Sequence, residues 1–260
     1  MTILVTGGAG YIGSHMVHEL VDAGVVLVDS SHPDVTARLH VNDNPNADIE
    51  ITAFAWVPPF AEGLVRDLRP RWALEEIGLP YRVRLLEGER PPEYYLEQPF
   101  GQVPCYSEGP LKIFESGAIV QHIGEKSEKL LPRDSVARIR AIQWTYAALN
   151  SVEPAVQNLT AIDLFYTNEE WAKLRRPGAE DFARLRLKRV ADWLGDKQWL
   201  EDRFTIGDLM MASVLRIPRH TELVAEQPNL AAYVARAEQR PAFQRALADQ
   251  VAVFKQHQPE

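Results

Sequence analysis

Gln98-Pro-Phe-Gly-Gln-Val-Pro-Cys-Tyr-Ser-Glu-Gly-Pro-Leu-Lys-Ile-Phe-Glu-Ser116 is the stretch on which the fold turns. Val103 precedes a proline, which pushes it into extended backbone. Residues 102–106 then read as a strand, Gly109 as a turn, Leu111–Phe114 as a second short strand and Ser116–Gly124 as a helix. A strand, a tight turn, a strand and a helix make a ββα unit that needs more sheet beside it to bury its apolar face.

That sheet is found upstream. Ile51–Trp56 is a strand candidate, and Glu62–Ile77 has helical spacing with Leu64, Leu68, Trp72 and Leu74 or Ile77 directed inward. Gly78 is placed to end that helix, and Tyr81–Leu86 is a further strand. The order is therefore βαβ followed by ββα, a thioredoxin-like plan in which a parallel pair is completed by a hairpin.

Beyond Pro132 strand signals stop, and apolar-periodic segments follow at Val136–Ala155, Gly178–Leu194, Thr205–Arg216 and Leu230–Arg240. Thr205-Ile-Gly-Asp208 reads as a capping box, the hydroxyl accepting from the third helical amide while the aspartate reaches back. The fold class expected is α/β plus all-α, with a thioredoxin-like domain at residues 49–126, a linker at 127–135 and an α-helical domain at 136–256. A short Rossmann-like βαβ fragment at residues 1–29 precedes them, joined by a turn-rich linker at 30–48. No internal repeat of fixed period is visible.

Composition narrows the function classes. With 28 lysines and arginines against 36 acids the formal charge is −8, which disfavours attachment to nucleic acid or anionic lipid. No stretch approaches the ~20 apolar residues of a membrane span. The opening MTILVTGGAGYIG has no basic flank and its apolar run is broken by glycines, so it is expected to be structural or vestigial rather than a signal peptide. The single Cys105 rules out an intramolecular disulfide or a multi-thiolate metal site and suits a reducing, cytoplasmic setting. Cys105 itself reads as a small buried hydrophobe. His15 and His18 share a helix face without a carboxylate partner, and no metal site is expected.

Four pieces carry a resemblance: Trp72-Ala-Leu-Glu-Glu-Ile-Gly-Leu-Pro-Tyr81, Gln98-Pro-Phe-Gly-Gln-Val-Pro104, Glu115-Ser-Gly-Ala-Ile-Val-Gln-His-Ile123 and Phe204-Thr-Ile-Gly-Asp208. In order and spacing, residues 49–256 resemble the glutathione transferase family. The resemblance implies a Val103-Pro104 bond in the cis form, turning the Val103 amide and carbonyl toward the cysteinyl backbone of glutathione. It also implies that Gln102, Glu115 and Ser116 bind the tripeptide. Ser116 at a helix start would present its hydroxyl and amide to the γ-glutamyl carboxylate, and Glu115 would meet the ammonium. The plain alternatives are a helix cap for Ser116 and a loop proline for Pro104.

Thiol activation in this family uses a tyrosine, serine or cysteine just after the first strand. Here that loop, Trp56-Val-Pro-Pro-Phe-Ala-Glu-Gly-Leu-Val-Arg66, has neither hydroxyl nor thiol. The substitutes are the amides opening the Glu62–Ile77 helix and the cation of Arg66, whose alternative is a solvated or sheet-edge arginine. Trp56, Phe60, Trp144, Tyr146, Phe165 and Tyr166 are candidates to line an apolar electrophile pocket, each with core packing as its alternative. The run Arg184–Arg189 reads as a charged solvent face.

Near the start, Gly7, Gly10 and Gly13 lie between a strand and a helix, and Asp29 closes the next strand. This looks like the opening of a nucleotide-sugar epimerase, in which the glycines admit a pyrophosphate and the acid holds a ribose hydroxyl. The chemistry of that family needs a Tyr-x-x-x-Lys pair, and no tyrosine here has a lysine four residues on. A fused fragment is expected rather than a working site, and NAD is not expected as a cofactor. The reading is a glutathione transferase-like enzyme that joins the glutathione thiolate to small apolar electrophiles, a detoxifying conjugation, or uses it in a reduction. The resemblance implies a homodimer. The alternatives are a non-catalytic binding or protein-interaction module of the same fold and, more remotely, an NAD-dependent epimerase.

Overall fold

A computed structural model describes residues 47–259 and the backbone of residues 39–40. The glycine motif Gly7, Gly10, Gly13 with Asp29, the βαβ fragment and most of the 30–48 linker lie outside the described residues. The chain divides into two compact units: one takes the residues through Pro70, Gly78–Ile119 and Leu247 onward, the other Arg71–Ile77 and Val120–Ala246. Against the expected division at 126 and 136, residues 71–77 count with the helical unit and those from 247 with the sheet.

In the first unit β2 (Ile49–Phe54) is central, parallel to β3 (Arg82–Leu86) and antiparallel to β4 (Cys105–Glu108), which pairs with β5 (Leu111–Phe114). Residues 39–40 (β1, Leu39–His40), inside the stretch read as linker, add a two-residue antiparallel edge to β3. The thioredoxin-like arrangement follows from the alternation along β2, where Ile49, Ile51 and Ala53 fill one face and Thr52 and Phe54 point to the other. On that second face Glu50 bridges Arg82 and Arg84 at 3.0 and 2.9 Å. Phe54, Leu86, Val103, Cys105 and Phe114 pack there around Tyr94, which stands on a 3₁₀ turn at Pro92–Leu96.

Helix α1 spans Leu68–Ile77, six residues shorter than expected. Pro70 sets that start: placed at the third helical position it withholds an amide that has no intrahelical partner anyway, whereas a helix begun at Glu62 would bury the defect in its interior. Gly63 at φ 72 and a 3₁₀ turn at Pro59–Ala61 occupy the space instead. Gly78 ends α1 at φ 73, as its position indicated. Helix α2 is Ser116–Glu125.

The helical unit contains α3 (Ser135–Tyr146), α4 (Glu153–Phe165), α5 (Glu170–Leu194), α6 (Ile206–Leu215) and α7 (Pro228–Glu238). Helix α8 (Pro241–Gln256), unread in the sequence, begins here and ends in the first unit. The single helix expected over Val136–Ala155 is split by a π-helical turn at Ala147–Val152. Pro154, just inside α4, cannot donate to the preceding turn, and a wider turn accommodates it. Helix α5 begins eight residues before the expected Gly178. Pro177 and Gly178 read as breakers, but buried Ala172 and Ala179 pack on both sides of them and carry the helix through.

Every residue of α6 is buried, as befits a helix apolar all round. Its close approach to α3 explains Gly207: a Cβ there would stand 2.6 Å from Trp144 Cβ and 3.0 Å from the Ala141 carbonyl. The capping box forms as expected, with Thr205 Oγ1 accepting from Gly207 at 3.2 Å. Asp208 is wholly buried and accepts four hydrogen bonds: from the amides of Leu200 and Thr205, the Thr205 hydroxyl and the Tyr233 hydroxyl.

Burial pushes the Asp208 acid up to about 6, against the hydrogen bonds that favour its anion. An acid raised on folding binds its proton more tightly in the folded state, so its contribution is complete below the ordinary carboxylate range and is lost as pH rises through about 6. Relative to Asp208→Asn, which does not titrate, the wild-type chain should lose about 3 kcal/mol of stability between the two limits. Urea titrations of both proteins at several pH values measure this. A pH-independent difference would mean that the four donors keep Asp208 ionised throughout.

Candidate functional site

The segment Gln102–Cys105 is held by one directed chain of hydrogen bonds. The Cys105 amide donates to Thr52 Oγ1 at 2.7 Å, Thr52 and Tyr94 share a bond at 2.9 Å, and the Tyr94 hydroxyl donates to the Gln102 carbonyl at 2.5 Å. Tyr94 has one hydroxyl proton, committed to Gln102, so Thr52 must donate to it. Each link thus polarises the next. Thr52 on the central strand and Tyr94 on its 3₁₀ turn were absent from the sequence reading. Their local pattern, a threonine in a strand and a tyrosine in a proline-rich turn, is common, and only their meeting is informative.

Between the two ends of this clamp lies Val103, followed by a cis peptide bond to Pro104, as the resemblance implies. Val103 is buried, yet its N–H and C=O make no hydrogen bond with any described residue. Main-chain groups so placed require a partner from solvent or ligand. Cys105 packs beneath, and burial raises its thiol above the ordinary cysteine range, in keeping with its reading as a small hydrophobe.

Glu115 and Ser116 stand at the β5–α2 junction. Glu115 is exposed and has φ 69, the one positive φ of a non-glycine residue among those described. Such a conformation persists only where surroundings impose it, and it concentrates at ligand clamps. Its carbonyl accepts the first α2 bond, from Ile119 at 2.9 Å. Ser116 is buried, and its Oγ accepts from Arg69 Nη1 at 3.0 Å, which leaves the serine proton to be donated. Arg69, itself buried, brings a cation to a helix N-terminus that already favours anions. Sequence reading missed Arg69 because nothing local links it to Ser116.

Arg90 is a second residue that reading passed over. Its guanidinium lies 4.5 Å over the Phe54 ring at the end of β2, and its Nε and Nη2 are buried without a hydrogen-bond partner. Desolvation lowers its pKa.

The loop expected to activate a thiol is placed differently from expectation. Because α1 begins at Leu68, no helix N-terminus lies at Glu62, and Arg66 is half-buried in the turn preceding α1. Trp56 is half-buried and Phe60 exposed in the same loop. In the helical unit Trp144 stacks on Trp193 at 5.3 Å and donates to Glu201 at 2.9 Å, which is a packing role, while Tyr146 is exposed. Phe165 is half-buried, and Tyr166 packs on Trp171 at 4.9 Å.

Tyr94→Phe strands the Gln102 carbonyl and the Thr52 hydroxyl in the interior. It should reduce stability by roughly 1–3 kcal/mol. In a double-mutant cycle with Thr52→Val, read by chemical denaturation, the two losses should fall well short of adding. Simple additivity would dissolve the chain into independent contacts.

Comparisons with known proteins bear on the family and the fold. Residues 61–125 match the family model of the glutathione S-transferase N-terminal domain, and residues 3–62 match that of the NAD dependent epimerase/dehydratase family. The second match outruns the opening fragment and overlaps strand β2 of the sheet. Glutathione S-transferase F6 of Arabidopsis thaliana is 30% identical over 185 residues, spanning 64% of this chain and 84% of the relative. Glutathione S-transferase-like protein OpS6 of Beauveria bassiana is 26% identical over 203 residues, 69% of this chain and 88% of its own. A Burkholderia graminis glutathione transferase solved with two glutathione molecules per subunit superposes with a TM-score of 0.67 at 26% identity, covering 76% of this chain and 87% of that one. A family member from Pseudomonas fluorescens, also with two glutathiones bound, gives 0.68 at 25% identity over 76% and 92%.

Proposed function

The chain belongs to the glutathione S-transferase family, and we propose that it binds glutathione along Gln102–Pro104 and at Glu115–Ser116 and delivers its thiolate to small apolar electrophiles or to a glutathione-dependent reduction. The observation that carries the reading is the junction at Glu115 and Ser116, where a strained backbone, a helix N-terminus, a polarised serine hydroxyl and the buried Arg69 converge. A γ-glutamyl carboxylate meets a donor at Ser116 and a cation behind it, and its ammonium meets Glu115. The Val103 main chain pairs with the cysteinyl residue as a short added strand. Arg90, whose Nε and Nη2 have no hydrogen-bond partner, suits the remaining carboxylate.

Arg66 is proposed as the cation that favours the thiolate, since no hydroxyl or thiol follows the first strand. Trp56 and Phe60 remain proposed electrophile contacts, Phe60 being exposed enough to meet a ligand. We place the protein in the cytoplasm as a homodimer, on its lone cysteine and on family likeness. Among the described residues no helix is long and apolar enough to cross a membrane. NAD has no part in the proposed reaction, and residues 1–29 are taken as a fused epimerase-like fragment. The second reading, a non-catalytic glutathione-binding or protein-interaction module, is favoured only by the missing hydroxyl or thiol.

Calorimetric titration with reduced glutathione tests the site. The wild-type chain should saturate, and Ser116→Ala should bind at least tenfold more weakly, about 1.4 kcal/mol. No heat at millimolar glutathione would turn the fold into a scaffold. Turnover of a model electrophile against pH tests activation: Arg66→Ala should move the limb governed by the bound thiol to higher pH. An unmoved profile removes Arg66 from the mechanism.

A further inference from the structure

Gln250 is fully buried, on the part of α8 that belongs to the sheet unit. A primary amide is a costly occupant of such a place. Its Oε1 is closed to solvent and has no hydrogen-bond partner, a condition that opposes folding and that a methionine of similar volume would avoid. What the amide supplies is its nitrogen. Nε2 donates to Asp67 Oδ1 at 2.7 Å and to the Val65 carbonyl at 3.3 Å. Both partners are acceptors, so it is the nitrogen that faces them.

These two bonds grip the chain on either side of Arg66, in the turn that precedes α1 and within the same unit. The Val65 carbonyl accepts a second time, from the Leu68 amide at 3.0 Å, and the Arg66 carbonyl accepts from the Arg69 amide at 3.2 Å. Both cations of the proposed site are therefore carried by the braced segment. Arg66 is its middle residue, and Arg69, two positions past Asp67, brings Nη1 to 3.0 Å from Ser116 Oγ. Asp67 is a fully buried acid placed between two arginines in sequence. A neutral amide donates to its carboxylate without adding a third cation beside Arg66 and Arg69.

Resting on the reading of this site as a glutathione site, we propose that Gln250 is its positioning residue. It fixes the Val65–Asp67 turn, and through that turn it aims Arg69 at Ser116 and Arg66 at the place of the thiolate. Its side chain is bonded to the turn and takes no part in the chemistry. Helix α8 thereby completes a site whose other residues lie between 66 and 116, and the unpartnered Oε1 is tolerated for the sake of the two bonds from Nε2.

Two measurements separate this from a plain tie between α8 and the sheet. The first uses the ligand-free protein and arginine Nε–H NMR, with signals identified through Arg66→Lys and Arg69→Lys. Both arginines should be rigid in wild type and mobile in Gln250→Met, which keeps the length of the side chain without its donors, while the Trp144 and Trp193 indole signals stay in place. Gln250→Asn, which withdraws the amide by one methylene, gives the same comparison in a milder variant should Gln250→Met fold poorly. The second is calorimetric titration with S-methylglutathione, which has no thiol to ionise and so reads the Arg69 branch alone. Gln250→Met should bind it roughly tenfold more weakly, and that loss should vanish once Arg69→Met is present. In turnover with glutathione, Gln250→Met should shift the thiol limb to higher pH, in the direction of Arg66→Ala. Unchanged arginine mobility in both Gln250 variants overturns the proposal, and so does a loss that simply adds to that of Arg69→Met. A wild-type chain that binds neither peptide overturns the reading of the site instead, and the ligand-free spectra then decide the brace by themselves.

Discussion

The proposed ligand-binding segment depends on a hydroxyl in the middle of the central strand. Thr52 accepts from the Cys105 amide and donates to Tyr94, which secures the Gln102 carbonyl. Without it, residues 102–104 would be an irregular connection with free choice of backbone geometry. With it, both ends of the connection are tied to the most buried strand of the sheet. Tyr94 serves only as a hydrogen-bonding hydroxyl: burial raises its pKa far above the ordinary phenol range, so it remains protonated. Preorganisation of this kind matters for a flexible peptide ligand, whose own ordering already opposes binding.

The same logic of burying polar groups only when they are saturated governs the helical unit. Asp208 sits where four donors converge from the preceding loop, the cap and α7. It joins α6 to its surroundings in a way that apolar packing, which is non-directional, does not. Gly207 beside it allows α6 to approach α3 at backbone distance, and Gly124 does likewise toward Ile206, where a Cβ would come within 2.8 Å. Cap, glycine and buried acid act together, which is why three residues in four positions of sequence have such different chemistry.

Charge is used in three distinct ways. At the Ser116 site, Arg69 is buried and directed at one oxygen, where the low local dielectric makes a single cation effective. Along α5 the charges are exposed, pair mostly with neighbours one turn away and are individually weak. A crevice lined by Asp163, Arg176, Glu180 and His220 shows a third pattern: Arg176 binds Asp163 through two nitrogens at 2.7 and 3.1 Å, and His220 adds a contact at 3.1 Å. There the ion pairs satisfy one another and tie α4 to α5.

Whereas the cis Val103-Pro104 bond was implied by family resemblance, local sequence determined strands β2, β3 and β5, the hairpin turn at Gly109, the end of α1 at Gly78 and the capping box at Thr205, because each is set by periodicity or by the backbone preference of one or two residues. It misplaced the start of α1, where Pro70 outweighed a continuous apolar period, and it broke α5 at a Pro-Gly pair that packing carries through. Tertiary structure alone decided which polar groups meet: Thr52 with Tyr94 across 42 residues, Arg69 with Ser116 across 47 and Cys105 with Thr52 across 53. No local period encodes such pairs. They arise when the sheet closes and each buried donor must find an acceptor, a requirement of the whole fold rather than of any segment.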